Sequence, residues 1–265
     1  MEKLVKRSAI HNIVINKCNS SISNGEINEG LVIPKKILNA CDIKNGEQII
    51  VTKIYGDNWI NRVKTFVIEG KDDGIVEARG SLANFYKEGE IACIVTFTLL
   101  NEEQFKDYIN DKYPIFDIGF NPDTNKDNLE FNLNIEFRTF KEFNVKEYGK
   151  YLEYRKNISR VQLSTLILGL KVNQTHPDCL QGSAELPGKI MDKGNLSRYE
   201  GVAVYNVSKG GASETYAVPM PDKVVMTTGA MAKFAKVGEK VNIASFVISK
   251  DAIIPSIVFT KNNDI

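Results

Sequence analysis

The chain contains one short motif twice, as Ala184-Glu185-Leu186-Pro187-Gly188-Lys189-Ile190-Met191 and earlier as Leu31-Val32-Ile33-Pro34-Lys35-Lys36-Ile37-Leu38. The similarity continues after both motifs in the same order and with nearly the same spacing. The later matches pair Ile49–Val51 with Val202–Val204, Thr65–Val67 with Thr215–Ala217, and Gly80-Ser81 with Gly229-Ala230. Because self-similarity at a fixed spacing indicates a repeated structural unit, we interpret residues 7–100 and 158–250 as two copies of one domain.

Each copy has the pattern of a mainly β domain. Short β-branched runs alternate with Gly, Asn and Asp turns, as in Ile13–Ile15, Gln48–Val51, Ile91–Val95 and Val241–Ala244. One short helix per copy is expected after Pro34 and Pro187, since proline suits the first turn of a helix. Closing several short strands into a barrel removes exposed sheet edges. We therefore predict a mainly β fold of two tandem β-barrel domains with short helices.

We divide the chain into a barrel over residues 1–100, a connecting segment over 101–157 and a second barrel over 158–265. The connecting segment is not expected to be a flexible linker, because apolar and polar residues alternate as in a half-buried strand at Leu129, Phe131, Leu133, Ile135 and Phe137. Helices are predicted over 102–112 and 145–155. The segment is therefore expected to be a β/α insert between the two barrels.

Composition excludes several classes of protein. A length of 265 residues with 43% hydrophobic and 25% charged residues is ordinary for a globular protein with a sizeable core. A net charge of +1 gives no electrostatic case for nucleic acid or an anionic membrane surface. No apolar run reaches the roughly 18 residues of a membrane helix. Four widely spaced cysteines and two histidines form no zinc pattern, and no signal peptide is recognised; we expect a cytoplasmic protein without metal.

The Gly182-Ser183 peptide is the candidate functional feature. A second Gly-Ser pair, Gly80-Ser81, aligns with Gly229-Ala230, so the two dipeptides are not equivalent. A serine hydroxyl can attack the preceding carbonyl and move the acyl group from nitrogen to oxygen; elimination of that ester and loss of ammonia leave a ketone. Glycine before the serine leaves this carbonyl unshielded and allows backbone conformations closed to other residues. The alternative is that Gly182-Ser183 forms an ordinary turn.

Both copies resemble aspartate 1-decarboxylase, a pyruvoyl-dependent family with a double-psi β-barrel fold. The second copy is the more similar, at Gly182-Ser183, Tyr205-Asn206-Val207, Thr215-Tyr216-Ala217, Thr228-Gly229-Ala230 and Ile243–Phe246. The resemblance implies that Ser183 is converted into a covalent pyruvoyl group. That group would hold a substrate amine as a Schiff base while carbon dioxide leaves. The implied substrate is a small amino acid, aspartate or a relative of it.

The resemblance also implies roles for single residues of the second copy. Gly182 would end the N-terminal fragment after self-cleavage and Ser183 would begin the C-terminal one. Thr215 matches a threonine that assists processing, and Tyr216 matches the tyrosine regarded as the proton donor. Thr228-Gly229-Ala230 matches an Asn-Gly-Ala segment that lines the substrate pocket, with threonine in place of asparagine.

The departures from the family pattern fall differently in the two copies. Where the family has an arginine that binds the substrate carboxylate, the second copy has Ala212 and the first has Arg62. In place of the serine the first copy has Gly30 or Leu31, depending on a one-residue gap. Phe66 stands there in place of the tyrosine. Each copy thus retains site residues that the other lacks.

We expect the two copies to divide one site, since sites of this family lie between neighbouring subunits. Ser183, Thr215 and Tyr216 would come from one barrel and Arg62 from another, because the rigid guanidinium fork suits a carboxylate. A chain of two barrels is then expected to pair into a homodimer that forms a four-barrel ring.

Two alternatives stay open at this point. One is a non-processing double-barrel relative with a binding or regulatory role; Ala212, Thr228 and the lack of a clear match for the family's early lysine favour it. Lys6 and Arg7 are the residues nearest to that lysine position. The other alternative is a pyruvoyl enzyme with a different amine substrate.

Overall fold

The computed structural model describes residues 2–21, 26–55, 59–109, 116–119 and 155–265. Its strands are β1 (Lys3–Val14), β2 (Lys17–Asn19), β3 (Gly30–Pro34), β4 (Gln48–Tyr55), β5 (Trp59–Gly70), β6 (Glu77–Arg79), β7 (Ile91–Leu100), β8 (Phe116–Gly119), β9 (Arg160–Lys171), β10 (Gln174–His176), β11 (Ala184–Pro187), β12 (Gly201–Asn206), β13 (Ala212–Met220), β14 (Met226–Thr228), β15 (Lys240–Ser249) and β16 (Ser256–Phe259). Its helices are α1 (Lys35–Ala40), α2 (Glu102–Ile109), α3 (Gly188–Lys193) and α4 (Gly229–Phe234).

Within the described residues the strands form two eight-stranded sheets with the same internal order. The order is β2-β6-β3-β5-β4-β7-β1-β8 in the first sheet and β10-β14-β11-β13-β12-β15-β9-β16 in the second. Both sheets mix parallel and antiparallel pairs, as β3 and β11 run parallel to β5 and β13 but antiparallel to β6 and β14. The prediction of a mainly β fold with two tandem barrel-like units is confirmed.

The strand registers match the two copies residue by residue. Strand β3 pairs with β5, and β11 with β13, in registers that make Leu31 the counterpart of Ala184. Gly30 therefore holds the position of Ser183, which resolves the one-residue ambiguity of the sequence comparison. The antiparallel registers of β6 and β14 likewise place Gly80 at the position of Gly229.

The expected helix after each proline is present, as α1 and α3. Pro34 and Pro187 stand at the N-cap rather than in the first turn, because each also ends a strand and has an extended ψ, 137° and 128°. The second copy has an additional helix, α4, that the sequence did not predict. The first copy has only turns at the corresponding place. There the Ser81 side chain donates a hydrogen bond to Glu29, and the Asn84 side chain donates one to the Val207 carbonyl oxygen.

Each sheet encloses a hydrophobic core of its own. The first core contains Ile10, Ile33 and Ile94, and the second contains their counterparts Ile167, Leu186 and Ile243 among others. A third apolar cluster joins the copies and consists of Phe66 with Leu163, Leu166, Leu168, Ala203, Tyr205 and Ala244. Since burying one such side chain stabilises by about 1.5–3 kcal/mol, this cluster fixes how the copies pack.

The connecting segment contributes to the first unit. Helix α2 confirms the helix predicted over 102–112, and β8 runs parallel to β1 as β16 does to β9. The strand predicted around 129–137 lies outside the described residues, as does the helix over 145–155 apart from Arg155. In the part of the chain that the structure describes, no helix combines the length and the apolar character needed to cross a membrane.

Candidate active site

Ser183 directly precedes β11 and is almost completely buried. Its backbone N–H donates to Thr228 Oγ1 at 2.9 Å, and its carbonyl oxygen accepts from the Thr228 N–H at 3.2 Å. These two bonds fix Ser183 against the end of β14. The loop before it is open to solvent, and the Leu180 side chain is fully exposed at 102%. The Gly182-Ser183 bond therefore lies where an accessible loop enters a rigid sheet.

The carbonyl oxygen of Gly182 accepts a hydrogen bond from Thr215 Oγ1 at 2.5 Å. Thr215 reaches it because β13 runs parallel to β11, with Ala217 beside Ala184. Negative charge would develop on this oxygen if a nucleophile attacked the Gly182 carbonyl carbon. A donor already aimed at that position stabilises such a charge without reorganisation.

The expectation that Gly182 adopts a backbone conformation closed to other residues is wrong. Gly182 has no positive φ, and a Cβ added to it would make ordinary van der Waals contacts, the nearest at 3.4 Å. What glycine contributes here is a carbonyl group without a side chain beside it.

The hydroxyl of Ser183 lies between two oxygen atoms. Its Oγ is 2.7 Å from Thr228 Oγ1 and 3.2 Å from Glu185 Oε1. The Thr228 hydroxyl donates its proton to the Gln181 carbonyl oxygen at 2.9 Å, so it is an acceptor toward Ser183. The Ser183 proton is consequently shared between Thr228 and the Glu185 carboxylate, and Glu185 is positioned to remove it.

Sequence reasoning missed Glu185. The available signal was its place two residues after Ser183 along β11, because alternate residues of a strand lie on the same face. Gln181 was missed as well. Its backbone carbonyl accepts a hydrogen bond from Thr228, and its side-chain oxygen accepts one from Tyr216.

Tyr216 is half-buried beside the cleavage loop, and its hydroxyl donates to Gln181 Oε1 at 3.0 Å. Its ring packs edge-on against Tyr199, with centroids 6.1 Å apart. Arg198 Nη2 donates to the Tyr199 hydroxyl at 2.7 Å. Tyr199 has a φ of 65°, which is strained for an aromatic residue. The structure thus brings Tyr216 to the cleavage loop, bonded to Gln181 rather than to Ser183.

Gly229 and Ala230 lie at the start of α4, directly under the cleavage loop. Gly229 has a φ of 50°, and a Cβ there would come within 2.7 Å of the carbonyl oxygens of Cys179 and Gln181. Only glycine permits the loop to pass this close to the helix. Ala230 is exposed beside it. The substrate-binding roles of Thr228, Gly229 and Ala230 stay predictions.

Arg62 is not brought to Ser183 within one chain. Its side chain is exposed on β5, and among the described residues it makes no hydrogen bond or ion pair with the Ser183 site. The registers confirm that Arg62 and Ala212 correspond, since Arg62 pairs with Thr52 as Ala212 pairs with Tyr205. Ala212 packs on the apolar cluster between the copies.

The first copy has a closed counterpart of this site. Glu29 holds the position of Gly182, and its carboxylate accepts hydrogen bonds from Ser81 Oγ at 2.7 Å and from Asn242 Nδ2 of the second copy at 2.9 Å. Complete burial raises the pKa of Glu29 to about 7, although the bonds from Ser81 and Asn242 oppose the shift.

Gly30 cannot be replaced by serine without strain. It has a φ of 108°, and a Cβ would stand 2.9 Å from the Phe66 carbonyl oxygen. Phe66 itself packs edge-on against Tyr205 of the second copy at 6.5 Å. The first-copy position is therefore part of the interface between the copies and has no self-cleaving residue.

Arg7 is also unavailable to a substrate. It is buried and hydrogen-bonded to Asp42 and Glu47, so it does not replace the family's lysine. Among the residues that the structure describes, no group of three or more His, Cys, Asp or Glu side chains could hold a metal ion.

The site just described is a serine between a strand end and an open loop, with a donor on the preceding carbonyl, in a duplicated mainly β protein. The sequence model of the aspartate decarboxylase family matches residues 1–113 and 160–265. This chain belongs to that family of decarboxylases. The match in two separate segments agrees with the duplication seen in the sheets.

Curated relatives match about one copy of the repeat. Aspartate 1-decarboxylase of Methylococcus capsulatus is 29% identical over 112 residues, which cover 38% of this chain and 89% of the relative. The enzyme of the same name from Campylobacter jejuni is 33% identical over 88 residues, 31% of this chain and 70% of the relative. That from Coprothermobacter proteolyticus is 36% identical over 72 residues, 26% and 60%.

Proposed function

We propose that this protein is a self-processing, pyruvoyl-dependent decarboxylase of aspartate or a related amino acid, cut between Gly182 and Ser183. One observation carries the proposal: Thr215 donates to the Gly182 carbonyl oxygen while the Ser183 hydroxyl lies against the Glu185 carboxylate. Nucleophile, base and oxyanion donor thus converge on one peptide bond. The family membership supports the reaction class.

The cleavage chemistry follows from these contacts. Glu185 accepts the Ser183 proton as Oγ attacks the Gly182 carbonyl carbon, and Thr215 stabilises the oxyanion. The C–N bond then breaks and the nitrogen takes a proton, which leaves an ester and a free amine. Loss of the Ser183 α-proton expels the Gly182 carboxylate and leaves a carbon–carbon double bond. Water then displaces ammonia, and a carbonyl remains on the new N-terminus.

The residues around Ser183 fit such a carbonyl, which would supply an electron sink for loss of carbon dioxide from a bound amino acid. Tyr216 would hold a proton at its hydroxyl oxygen for return to the substrate carbon. Its present partner Gln181 lies on the loop that ends at the new C-terminus, so cleavage frees the hydroxyl. Thr228 would remain as the hydrogen-bond partner on the strand side of the pocket.

The contact between the two copies indicates how Arg62 would reach this site. Ala212 of the second copy packs beside Phe66 and the closed first-copy position. If a first copy from another chain packs on the open Ser183 site in the same way, Arg62 takes the place of Ala212 and faces the substrate. We propose that it binds the substrate carboxylate there.

Exposed apolar surface supports the same assembly. Ile27 lies three residues before Gly30 and packs into the cluster between the copies, whereas Leu180, three residues before Ser183, is fully exposed. A second chain would cover Leu180 as Ile27 is covered. Lys64 also contacts its own counterpart Glu214 at 2.6 Å, as expected for residues near a shared axis. We propose a homodimer that forms a four-barrel ring.

The test is the intact mass of purified Ser183→Ala and Ser81→Ala variants under denaturing conditions. The native chain and Ser81→Ala should yield fragments 1–182 and 183–265, the smaller one reactive toward a carbonyl reagent. Ser183→Ala should stay a single chain of 29.7 kDa. A native chain that stays whole after prolonged warming would contradict self-processing and favour the non-processing alternative. Carbon dioxide release from a panel of amino acids then identifies the substrate.

A further inference from the structure

The turns before β4 and β12 are counterparts, and each has one residue in the left-handed region. In the first copy this residue is Gly46, with a φ of 77°, and its N–H donates to the Val67 carbonyl oxygen at 2.8 Å. In the second copy it is Tyr199, with a φ of 65°, and its N–H donates to the Ala217 carbonyl oxygen at 2.8 Å. The turn therefore requires a conformation that glycine adopts freely and tyrosine adopts only with strain.

The strain at Tyr199 is not offset by burial, because this residue is 61% exposed. Among the described residues, seven that are not glycine have a positive φ, and Tyr199 is the single aromatic one. Four of the seven are asparagines, whose short polar side chain tolerates this region. They are Asn12, Asn195, Asn262 and Asn263. A strained, exposed aromatic residue points to a role for its side chain.

The Tyr199 ring contacts both a cation and the proposed proton donor. It packs edge-on against Tyr216, with centroids 6.1 Å apart. The Arg198 guanidinium lies 4.6 Å from the centroid of the Tyr199 ring, and Nη2 donates to the Tyr199 hydroxyl at 2.7 Å. Both kinds of ring contact are favourable. In the part of the chain that the structure describes, Arg198 forms no ion pair with a carboxylate, so its contacts hold Tyr199.

The contact between Tyr199 and Tyr216 would survive self-cleavage. Before the cut the Tyr216 hydroxyl is bonded to Gln181, whose loop end is released when the bond after Gly182 breaks. Tyr199 and Tyr216 both belong to the C-terminal piece, 183–265. Strand β13 fixes the backbone of Tyr216 but not the rotation of its ring. A ring packed against it restricts that rotation in the cut protein.

We propose that Tyr199 is a positioning residue that holds the Tyr216 ring for proton return to the substrate, and that Arg198 holds Tyr199 in turn. This inference rests on the proton-donor role proposed above for Tyr216. Among the described contacts Tyr199 does not touch the Gly182-Ser183 bond, so it acts in turnover and not in self-cleavage. A misplaced catalytic group lowers the rate of the chemical step, by about 100-fold in strong cases.

The test is the steady-state rate of carbon dioxide release by the cut enzyme. Tyr199→Asn relaxes the turn and removes the ring, so kcat should fall about tenfold or more. KM should change by less than about twofold, because the loss lies in the chemical step and not in substrate binding. Self-cleavage should keep its native rate. Tyr199→Phe keeps both the ring and the stacking of Arg198, so its kcat should stay within about threefold of native.

The matched control is Lys223→Asn, which relaxes another exposed left-handed residue, with a φ of 64°. It removes only an exposed ion pair with Asp264, which contributes little, and kcat should stay native. Urea unfolding of the uncut Ser183→Ala chain gives the second readout. Adding Tyr199→Asn should leave its midpoint at or above that of the parent chain. A midpoint that falls together with kcat would show a merely structural role and overturn the proposal.

Failure of this inference can be told from failure of the proposed function. A native chain that releases no carbon dioxide contradicts the function. A native chain that is active while Tyr199→Asn keeps the native kcat overturns only the positioning role. Nitration of Tyr216 by tetranitromethane, located by peptide mass, needs no substrate. Its rate should rise several-fold in Tyr199→Asn because the edge-on contact is lost, and an unchanged rate also overturns the proposal.

Discussion

Thr215 and Thr65 hold corresponding strand positions and differ in what surrounds them. Thr215 donates to the carbonyl of the candidate cleavage bond, whereas Thr65 is completely buried at the interface between the copies. The neighbouring bond is Gly182-Ser183 in the second copy and Glu29-Gly30 at the corresponding place in the first. The proposed chemical role of the hydroxyl at this strand position therefore requires the serine beside it, which only the second copy has.

Replacing Thr215 by valine should slow self-cleavage about 100-fold, because removal of one oxyanion donor costs roughly 10²–10³ in rate. Valine keeps the shape of the side chain and removes only the donor. The fraction of cut chain is followed over time by intact mass.

The matched control is Thr65→Val in the first copy, which should cleave at the native rate. Cleavage of Thr215→Val at the native rate as well would remove Thr215 from the proposed mechanism.

At this scale the sequence indicated the proposed nucleophile and oxyanion donor but not the other residues that contact them. Ser183 and Thr215 could be found from the repeat and the family resemblance. Glu185 was missed although its place two residues after Ser183 was a signal, because its contact with Ser183 depends on the strand beginning directly after the serine. The role of Gln181 depends on the path of an irregular loop, which has no periodic signal.

Strands β3 and β11 are equivalent elements that begin differently. Strand β3 pairs in parallel with β5, and β11 pairs in parallel with β13. Each of the two strands ends at a proline that is followed by a helix. Strand β11 begins directly after Ser183, which follows an open loop, whereas β3 begins at Gly30, directly after the buried Glu29. The periodic strands and the helices after the prolines were predictable. Helix α4 was not, because its counterpart in the first copy does not form a helix.

Glu29→Gln should remove a pH dependence from the stability of the fold. Folding raises the pKa of Glu29 from 4.5 to about 7, so the folded state holds a proton that the unfolded chain releases between these values. The stabilisation is complete below pH 4.5 and is lost as the pH rises through 7. The neutral amide keeps it at high pH, where the variant should be more stable by up to about 3 kcal/mol.

Urea unfolding of the uncut Ser183→Ala chain at pH 5 and pH 8, with and without Glu29→Gln, measures this difference. Glutamine is tolerated because the Ser81 hydroxyl can rotate to accept from the new amide. Glu103→Gln, an exposed change on α2, is the control. An equal effect of Glu29→Gln at both pH values would show that Glu29 stays ionised.

The whole molecule has one closed and one open version of the same position. The closed one is filled by Glu29 and Phe66 and covered by the second copy. The open one, at Ser183, has an exposed leucine beside it and lacks an arginine that the other copy displays. That the copies are related could be predicted from the sequence. Which face of each copy is covered depends on how the copies pack against each other. No local sequence pattern predicts that packing.

Two inactive variants should therefore restore activity when they are co-expressed. In a mixed dimer, Ser183 of the Arg62→Ala chain meets Arg62 of the Ser183→Ala chain, and one site of two is complete. Random pairing gives mixed dimers for about half of the chains, so we expect about a quarter of the native carbon dioxide release.

Each variant expressed alone is the control and should be nearly inactive. If the mixture stays as inactive as the separate variants, Arg62 acts within its own chain or not at all, and the shared site is wrong. The native protein must be active in the same assay.

The Gly182-Ser183 bond lies inside the second sheet, between β10 and β11. After a cut, β9 and β10 belong to one piece, while their partners β14, β15 and β16 belong to the other. The pieces would stay together through these ladders and through the apolar cluster between the copies. The uncut chain can fold as a first-order process, but the mature protein, once unfolded, would have to find its missing half by diffusion. The fraction of cut protein that refolds after heating would then depend on protein concentration. Self-cleavage would thus supply the reactive carbonyl and make thermal unfolding less reversible.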